Sequence, residues 1–297
     1  MHDHHHHHHH EADGRIGVAF FLNFGFTIIE FIGGLLTNST AILADAVHDL
    51  GDTLSIGLGW LLARLGRRPA SAHYTYGYQR LSLLGALINA LVLIAGSLWV
   101  LSEAIPRLQD PPMPDALGMT WLAILGVVVN GAAAWRLSGG RTLNEKVLNW
   151  HLLEDVLGWL AVLIVSLVLQ VVEWPILDPL LSIVFTLFIL VNVLRNLRTT
   201  LRLFLQGVPE AGLGEEIRAK LLALPHVTDV HHLHLWSLDG EHHVLTAHLV
   251  LDIPLSAEAQ REVKDAIREA CEDCDISHST IELEQAEEPC RDARDHA

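Results

Sequence analysis

The chain has 297 residues, 51% of them hydrophobic and only 18% charged, with a formal net charge of −16. Together with a positive mean hydropathy, that balance excludes an ordinary soluble globular protein, and the acidic excess argues against a nucleic-acid partner. From Val208 to Ala297 there are 20 Asp and Glu against 7 Lys and Arg, so most of the negative charge lies in the last third, where it suits cations as ligands or forms a solvated surface.

The first residues, MHDHHHHHHHEADGR, lack the order of a signal peptide. They fit either a purification tag or a native metal-collecting tail, and 1–15 is set aside as a His-rich N-terminal tail. A helix needs about 20 mostly apolar residues to cross a bilayer. Six segments meet that length: Ile16–Leu36, Thr40–Leu65, Leu81–Ile105, Leu117–Leu137, Val147–Val172 and Ile176–Leu197. Short polar or Pro-rich turns join them, such as LTNST, RLQDPPMPD and VEWP. Arg15, Arg64, Arg67, Arg68, Arg136, Arg141, Lys146, Arg195, Arg198 and Arg202 all flank one side of the six segments, and Arg107 is the exception. By the positive-inside rule that side is cytoplasmic. The expectation is a multi-pass protein of the inner membrane, embedded in the lipid bilayer over 16–206, with both termini cytoplasmic.

The second segment contains LADAVHDLGDTLS, which places Asp45, His48, Asp49 and Asp52 in the middle of an apolar run. On a helix, His48 and Asp52 at i,i+4 stand about 40° apart on one face. The fifth segment repeats the pattern in NWHLLEDVLGW, with His151 and Asp155 at i,i+4 and Glu154 beside them. One carboxylate at mid-bilayer costs about 2.5–3.5 kcal/mol on insertion scales. Such a cluster is stable only if it pairs, protonates or binds a cation. A lone Asn fits the simpler role of an interhelical hydrogen bond, and Asn23, Asn89 and Asn130 are read that way. Two matched H-x-x-x-D pairs instead supply two nitrogens and two carboxylate oxygens. That set suits a tetrahedral site for Zn²⁺, with Cd²⁺, Co²⁺, Mn²⁺ and Fe²⁺ also possible and Cu(I) disfavoured for want of thiolates. Asp45, Asp49 and Glu154 then read as candidates for a proton or access path.

Beyond QGVPEAGLGEE the composition changes. EEIRAKLLALP reads as an amphipathic helix, VTDVHHLHLWSL and HHVLTAHLVLD as two strands joined by a DGE turn, SAEAQREVKDAIREACED as a helix with Ser256 as N-cap, and HSTIELEQ as a third strand. The fold class expected is therefore an α-helical membrane protein of six transmembrane helices with a C-terminal α+β domain. That domain has the order αββαβ, an open-faced sandwich of the ferredoxin-like, metallochaperone-like kind over 207–286, followed by an acidic tail over 287–297. Strand alternation puts His232 and His234 on one face and His231 on the other. Cys271, Cys274 and Cys290 suggest no disulfide framework. Cys271 and Cys274 form a C-x-x-C that is half a zinc site, a redox pair or two ordinary helix residues, and Cys290 is placed to join them.

The paired motifs His48-DLG-Asp52 and His151-LLE-Asp155, the six segments, HYTYGYQRLSLLGALINALVL opening the third, and DVHHLHLW in the tail resemble the cation diffusion facilitator family, in its bacterial zinc exporter type. The resemblance covers Gly14 to Gln285. It implies a homodimer that exchanges Zn²⁺ for protons, the metal held by His48, Asp52, His151 and Asp155, with His at position 48 leaning toward zinc over cadmium. It implies a metal-binding and dimerisation role for the tail domain, where His231 and His248, with a carboxylate such as Glu282 or Glu284, hold a regulatory Zn²⁺. Some members carry a further site in the loop before the third helix; RRPASAHYTYGYQR offers His73 alone, so none is expected here.

Ligands that all take up protons couple metal release to proton binding. The chain has no G-x-x-x-x-G-K-[ST] phosphate loop, so a proton gradient is the expected energy source. An intramembrane metal-dependent enzyme would want an open metal position and a motif such as H-E-x-x-H, which neither helix shows. A metal-regulated channel would conduct without titratable ligands. Secondary transport is the reading that uses every motif.

Overall fold

The computed structural model describes residues 7–66, 68–137 and 143–291, with the side chains of 20–62, 64–66, 68–135 and 152–291. Six long helices come first: α1 (His7–Thr37), α2 (Thr40–Gly66), α3 (Leu81–Ala104), α4 (Ala116–Leu137), α5 (Leu143–Val171) and α6 (Leu177–Phe204). They match the six apolar segments, except that α1 starts at His7, inside the His-rich run. Among the described residues, stretches of α1, α3, α4, α5 and α6 are long and apolar enough to cross a membrane. The remaining helix, α2, has 27 residues, a length of roughly 40 Å at 1.5 Å per residue, and is the one that carries Asp45, Asp49 and Asp52. The helices expose apolar side chains such as Leu36, Trp135 and Val171, as lipid-facing surfaces require.

Residues Met1–Leu61 with Ile88–Leu197 form one compact unit, and Leu62–Leu87 with Arg198–Ala297 form a second. In the first, helices approach closely where a residue is small. Gly126 of α4 seats the indole of Trp159 of α5, and a Cβ at Gly126 would collide with that ring. Trp159 lies in a buried cluster with Phe26, Ile42, Met119 and Val162. Asn23 donates to Thr53 Oγ1 at 2.9 Å and to the Asp49 carbonyl at 3.3 Å, tying α1 to α2. Asn89 donates to Ser55 Oγ at 2.7 Å, tying α3 to α2. Both act as the sequence reading expects. Asn130 does not: its buried Nδ2 has no hydrogen-bond partner.

Asp178, at the first turn of α6, closes the N-terminus of α2. Its carboxylate accepts from Ser39 Oγ at 2.5 Å, the Thr40 amide at 2.7 Å, Thr40 Oγ1 at 2.8 Å and the Ala41 amide at 3.3 Å. A helix start leaves its first amides without partners, and here a neighbouring helix satisfies two of them.

In the second unit, α7 (Leu213–Leu222), β1 (Val227–Ser237), β2 (His243–Leu251), α8 (Ala257–Ala270) and β3 (Ile276–Gln285) give the αββαβ order. The sheet runs β1-β2-β3, with β1 and β2 antiparallel and β2 and β3 parallel. Ser256 caps α8 by accepting from the Ala259 amide at 3.3 Å. The DGE turn forms around Asp239, which accepts from the amides of Glu241 and His242, with Gly240 at φ +108. Burial pushes the Asp239 carboxyl up, but the amides of His242 and Glu241 and the His242 ring outweigh it and hold it below the usual carboxylate range. Ile217 and Leu221 of α7 and Val263 and Ile267 of α8 pack on Leu245, Ala247 and Leu249 of β2, which leaves the alternate residues, His248 among them, on the opposite face.

Candidate metal centres

In the helical unit the matched motifs converge. His48 Nε2 lies 3.8 Å from Asp52 Oδ2 of its own helix and 3.7 Å from Asp155 Oδ1 of α5. The i,i+4 spacing supplies the first approach, and the packing of α2 beside α5 supplies the second. His48 and Asp52 remain 29% and 28% exposed and Asp155 10%, so the group is reachable and yet surrounded by apolar helices. It borders a cavity of about 440 Å³ between α2, α3, α5 and α6, lined also by Asp45, Glu154 and Asn192. His151 falls within α5, but its side chain lies outside the described residues.

The three carboxylates considered for a proton or access path separate in the structure. Asp45 and Glu154 line the cavity, Asp45 as a buried group and Glu154 as an exposed one. Asp49 is buried and is not among the residues that line the cavity. Beside it the structure places a residue that the sequence reading passed over. Glu30 of α1 is only 1% exposed, and the polar side chain next to its carboxyl is another acid, Asp49, with which it can hydrogen-bond only by sharing a proton. The charged groups acting on it are Asp49 and Asp45 of α2 and Asp155 of α5. The signal was available: FTIIEFIGG carries a single acid in the middle of an apolar span, and an intramembrane ionisable group is a functional candidate by default.

On the sheet, β1 and β2 bring His231 opposite His248. Simple alternation fails at this point. The register shifts between His231 and His234, and His232 sits at φ +48. This bulge re-aims the side chains, so the rings of His231 and His232 both lie near that of His248, with centroids 5.5 and 5.0 Å away. Of the two carboxylates considered, Glu284 is the one that joins the imidazoles. Its Oε1 lies 2.7 Å from His248 Nδ1 and its Oε2 3.1 Å from His231 Nε2. Glu282 approaches His248 Nε2 at 3.7 Å and pairs with Arg291 at 2.5 Å. One ligand atom each of His231, His248, Glu284 and Cys290 lies within 4.8 Å of the others, which among the described residues is the one such group of three or more.

Cys271 and Cys274 are elsewhere, inside the apolar core formed by α7, α8 and the sheet. Burial pushes both thiols above their ordinary range, more than the nearby Lys220 ammonium lowers them. They pack as core residues, and Cys290 lies by His248 rather than with them.

Two family models match the chain. A cation efflux transmembrane domain covers residues 16–205, and the cytoplasmic domain of cation efflux proteins covers residues 209–286. The chain belongs to the cation efflux family. It is 32% identical over 295 residues to the metal cation efflux system protein CzcD of Cupriavidus metallidurans, covering 98% of this chain and 92% of that one. It is 32% identical over 296 residues to the zinc transporter ZitB of Escherichia coli, covering 97% and 93%. It is 32% identical over 271 residues to a cadmium, cobalt and zinc/H(+)-K(+) antiporter of Bacillus subtilis, covering 90% and 87%. The family resemblance drawn from the motifs is therefore correct, and so is the helical membrane region followed in the chain by a small α+β domain. Membership makes this cation efflux protein a multi-pass membrane transporter and removes the metalloenzyme reading.

Proposed function

We propose that this cation efflux protein exports Zn²⁺ from the cytoplasm in exchange for protons, with Cd²⁺ and Co²⁺ as further substrates. The transported ion is held by His48 and Asp52 of α2 and by His151 and Asp155 of α5. The observation that carries this reading is the approach of His48 Nε2 to carboxylate oxygens of both Asp52 and Asp155 at the wall of an open cavity. Two imidazoles and two carboxylates are a borderline donor set suited to Zn²⁺. All four accept protons once the metal leaves, so the two cations compete for the same atoms and are coupled without any further device. Rocking of the helices about a site near the midplane supplies alternating access. The cavity-facing Asp45 and Glu154 serve the path to it.

The domain over 207–286 serves dimerisation and holds a regulatory ion at His231, His248 and Glu284. The transmembrane domain spans 16–206, and the arginines that flank one side of the helices put both termini in the cytoplasm of an inner-membrane homodimer.

The test is Zn²⁺ uptake into proteoliposomes with and without an imposed pH gradient, with internal pH followed at the same time. Zinc entering as protons leave, and stopping in His48→Ala, is the expected result. Flux indifferent to the pH gradient would make the protein a metal-regulated channel, and flux that survives His48→Ala would put the site elsewhere.

A further inference from the structure

After β3 the chain turns back on the sheet. The Glu288 amide donates to the Gln285 carbonyl at 2.9 Å, and the Gln285 amide donates to Glu288 Oε2 at 3.1 Å. This turn carries Cys290 to 3.5 Å from His248 Nδ1. We propose that Cys290 is the fourth ligand of the His231–His248–Glu284 site, that the site takes a thiolate-accepting divalent ion (Zn²⁺, Cd²⁺ or Co²⁺), and that the bound ion fastens the segment after β3 to the sheet. The proposal rests on the reading of His231 and His248 as ligands and adds the sulfur to it.

Three features of the geometry support the assignment. The first is compactness. Four donors from four places in the chain lie within 4.8 Å of one another, and ligands 2.0–2.3 Å from a common ion stand roughly 3.3–3.8 Å apart in a tetrahedron. Small side-chain rotations close that difference. The second is burial: His248 is 8% and Glu284 3% exposed, and the buried Nε2 of His231 makes no well-formed hydrogen bond although Glu284 Oε2 is 3.1 Å away. His248 and Glu284 compensate each other at 2.7 Å, whereas the buried Nε2 of His231 is costly without a better partner. The third is what stands behind each imidazole. With Nε2 of His231 turned into the site, its Nδ1 faces Asp229 Oδ2 at 3.4 Å, and with Nδ1 of His248 turned in, its Nε2 faces Glu282 Oε2 at 3.7 Å. A carboxylate behind a ligating histidine fixes the tautomer and raises the basicity of the other nitrogen. Glu282 is itself held by Arg291, the residue after Cys290, so one segment supplies both the thiol and the clamp on the outer carboxylate.

Two nitrogens, one oxygen and one sulfur disfavour Mg²⁺, Ca²⁺ and Mn²⁺, which prefer all-oxygen shells. On binding, the Cys290 thiol gives its proton to solvent and the sulfur–metal bond forms in its place.

The test uses the full chain, stripped of metal and titrated with Co²⁺ in detergent. The proposed transport site contains no sulfur, so a sulfur-to-cobalt charge-transfer band reports on the cysteines alone. The expected result is a band that disappears in Cys290→Ser and in His248→Ala and persists in Cys274→Ser, with tail affinity for Zn²⁺ at least about tenfold weaker in Cys290→Ser, the lower end of what losing even an outer-shell partner costs. A tetrahedral cobalt spectrum without that band, unchanged by Cys290→Ser, would overturn the sulfur assignment and leave the His231–His248 site standing. A band that survives His248→Ala would place thiolate ligation elsewhere and overturn it too. No cobalt signal at all in Asp155→Ala, whose transport site is disabled, would remove the tail site together with the proposal.

Discussion

Glu30 shows what a single side chain can reveal inside a bilayer-spanning unit. It is almost fully buried, its hydrogen-bonding neighbour is another acid, Asp49, and it is faced by acids rather than by a base. A buried polar group left only partly satisfied costs up to about 1–3 kcal/mol relative to an apolar group of the same shape, and an acid paired only with another acid is in that position. Evolution would not keep such a residue for stability. Glu30→Met is therefore expected to raise the thermal midpoint of the purified protein while lowering Zn²⁺ flux, the two moving in opposite directions. Thermal melts and liposome flux on the same preparation decide it. A variant that is both less stable and less active would make Glu30 a packing residue. Asp155 makes the complementary case. It lies 3.7 Å from His48, and Asp155→Ala is expected to abolish transport while size-exclusion chromatography still shows a folded dimer. Transport that persisted would mean that the α5 carboxylate is not a ligand.

At the scale of elements, the helices were legible and the irregularities were not. Six apolar runs of membrane length gave α1–α6 to within a few residues at most ends, because bilayer thickness constrains helix length strongly. The i,i+4 spacing within α2 brought His48 beside Asp52, and the Ser256 cap and the DGE turn marked the start of α8 and the hairpin. The bulge at His232 left no mark in the sequence: a positive φ at a non-glycine residue is set by the strand pairing around it, and it changes which histidines meet. Cys290 was hidden for a similar reason, since only the turn at 285–288 shows where the segment after β3 goes. The contact between α6 and α2 was equally invisible. Asp178 and the Ser39–Thr40–Ala41 start of α2 are far apart in sequence, yet one carboxylate accepts four hydrogen bonds there. Asp178→Ala strips the acceptor from buried donors and is expected to destabilise the protein by about 3 kcal/mol or more. It should also impair transport, because α2 carries His48 and Asp52. The unfolding midpoint checks this: a shift no larger than that of an exposed control such as Asp110→Ala would mean that the cap is dispensable.

For the molecule as a whole, the proposals amount to two metal sites with different duties. The transport site must release its ion, so it uses exchangeable carboxylates and imidazoles around an open cavity. The tail site is more buried and adds a thiol, features suited to retention. An ion that binds only the folded chain stabilises it by about 2.7 kcal/mol at a hundredfold excess over the dissociation constant, enough to move a thermal midpoint by a few degrees in a protein of this size. Chelation of the purified protein is therefore expected to lower the midpoint and Zn²⁺ to restore it. Because retention is assigned to the tail, most of that shift should remain in Asp155→Ala and most of it should vanish in His248→Ala. The opposite pattern, with the shift lost in Asp155→Ala and kept in His248→Ala, would mean that the stabilising ion sits among the membrane helices. The cytoplasmic histidines would then be left to hydrogen bonding with Glu284 alone.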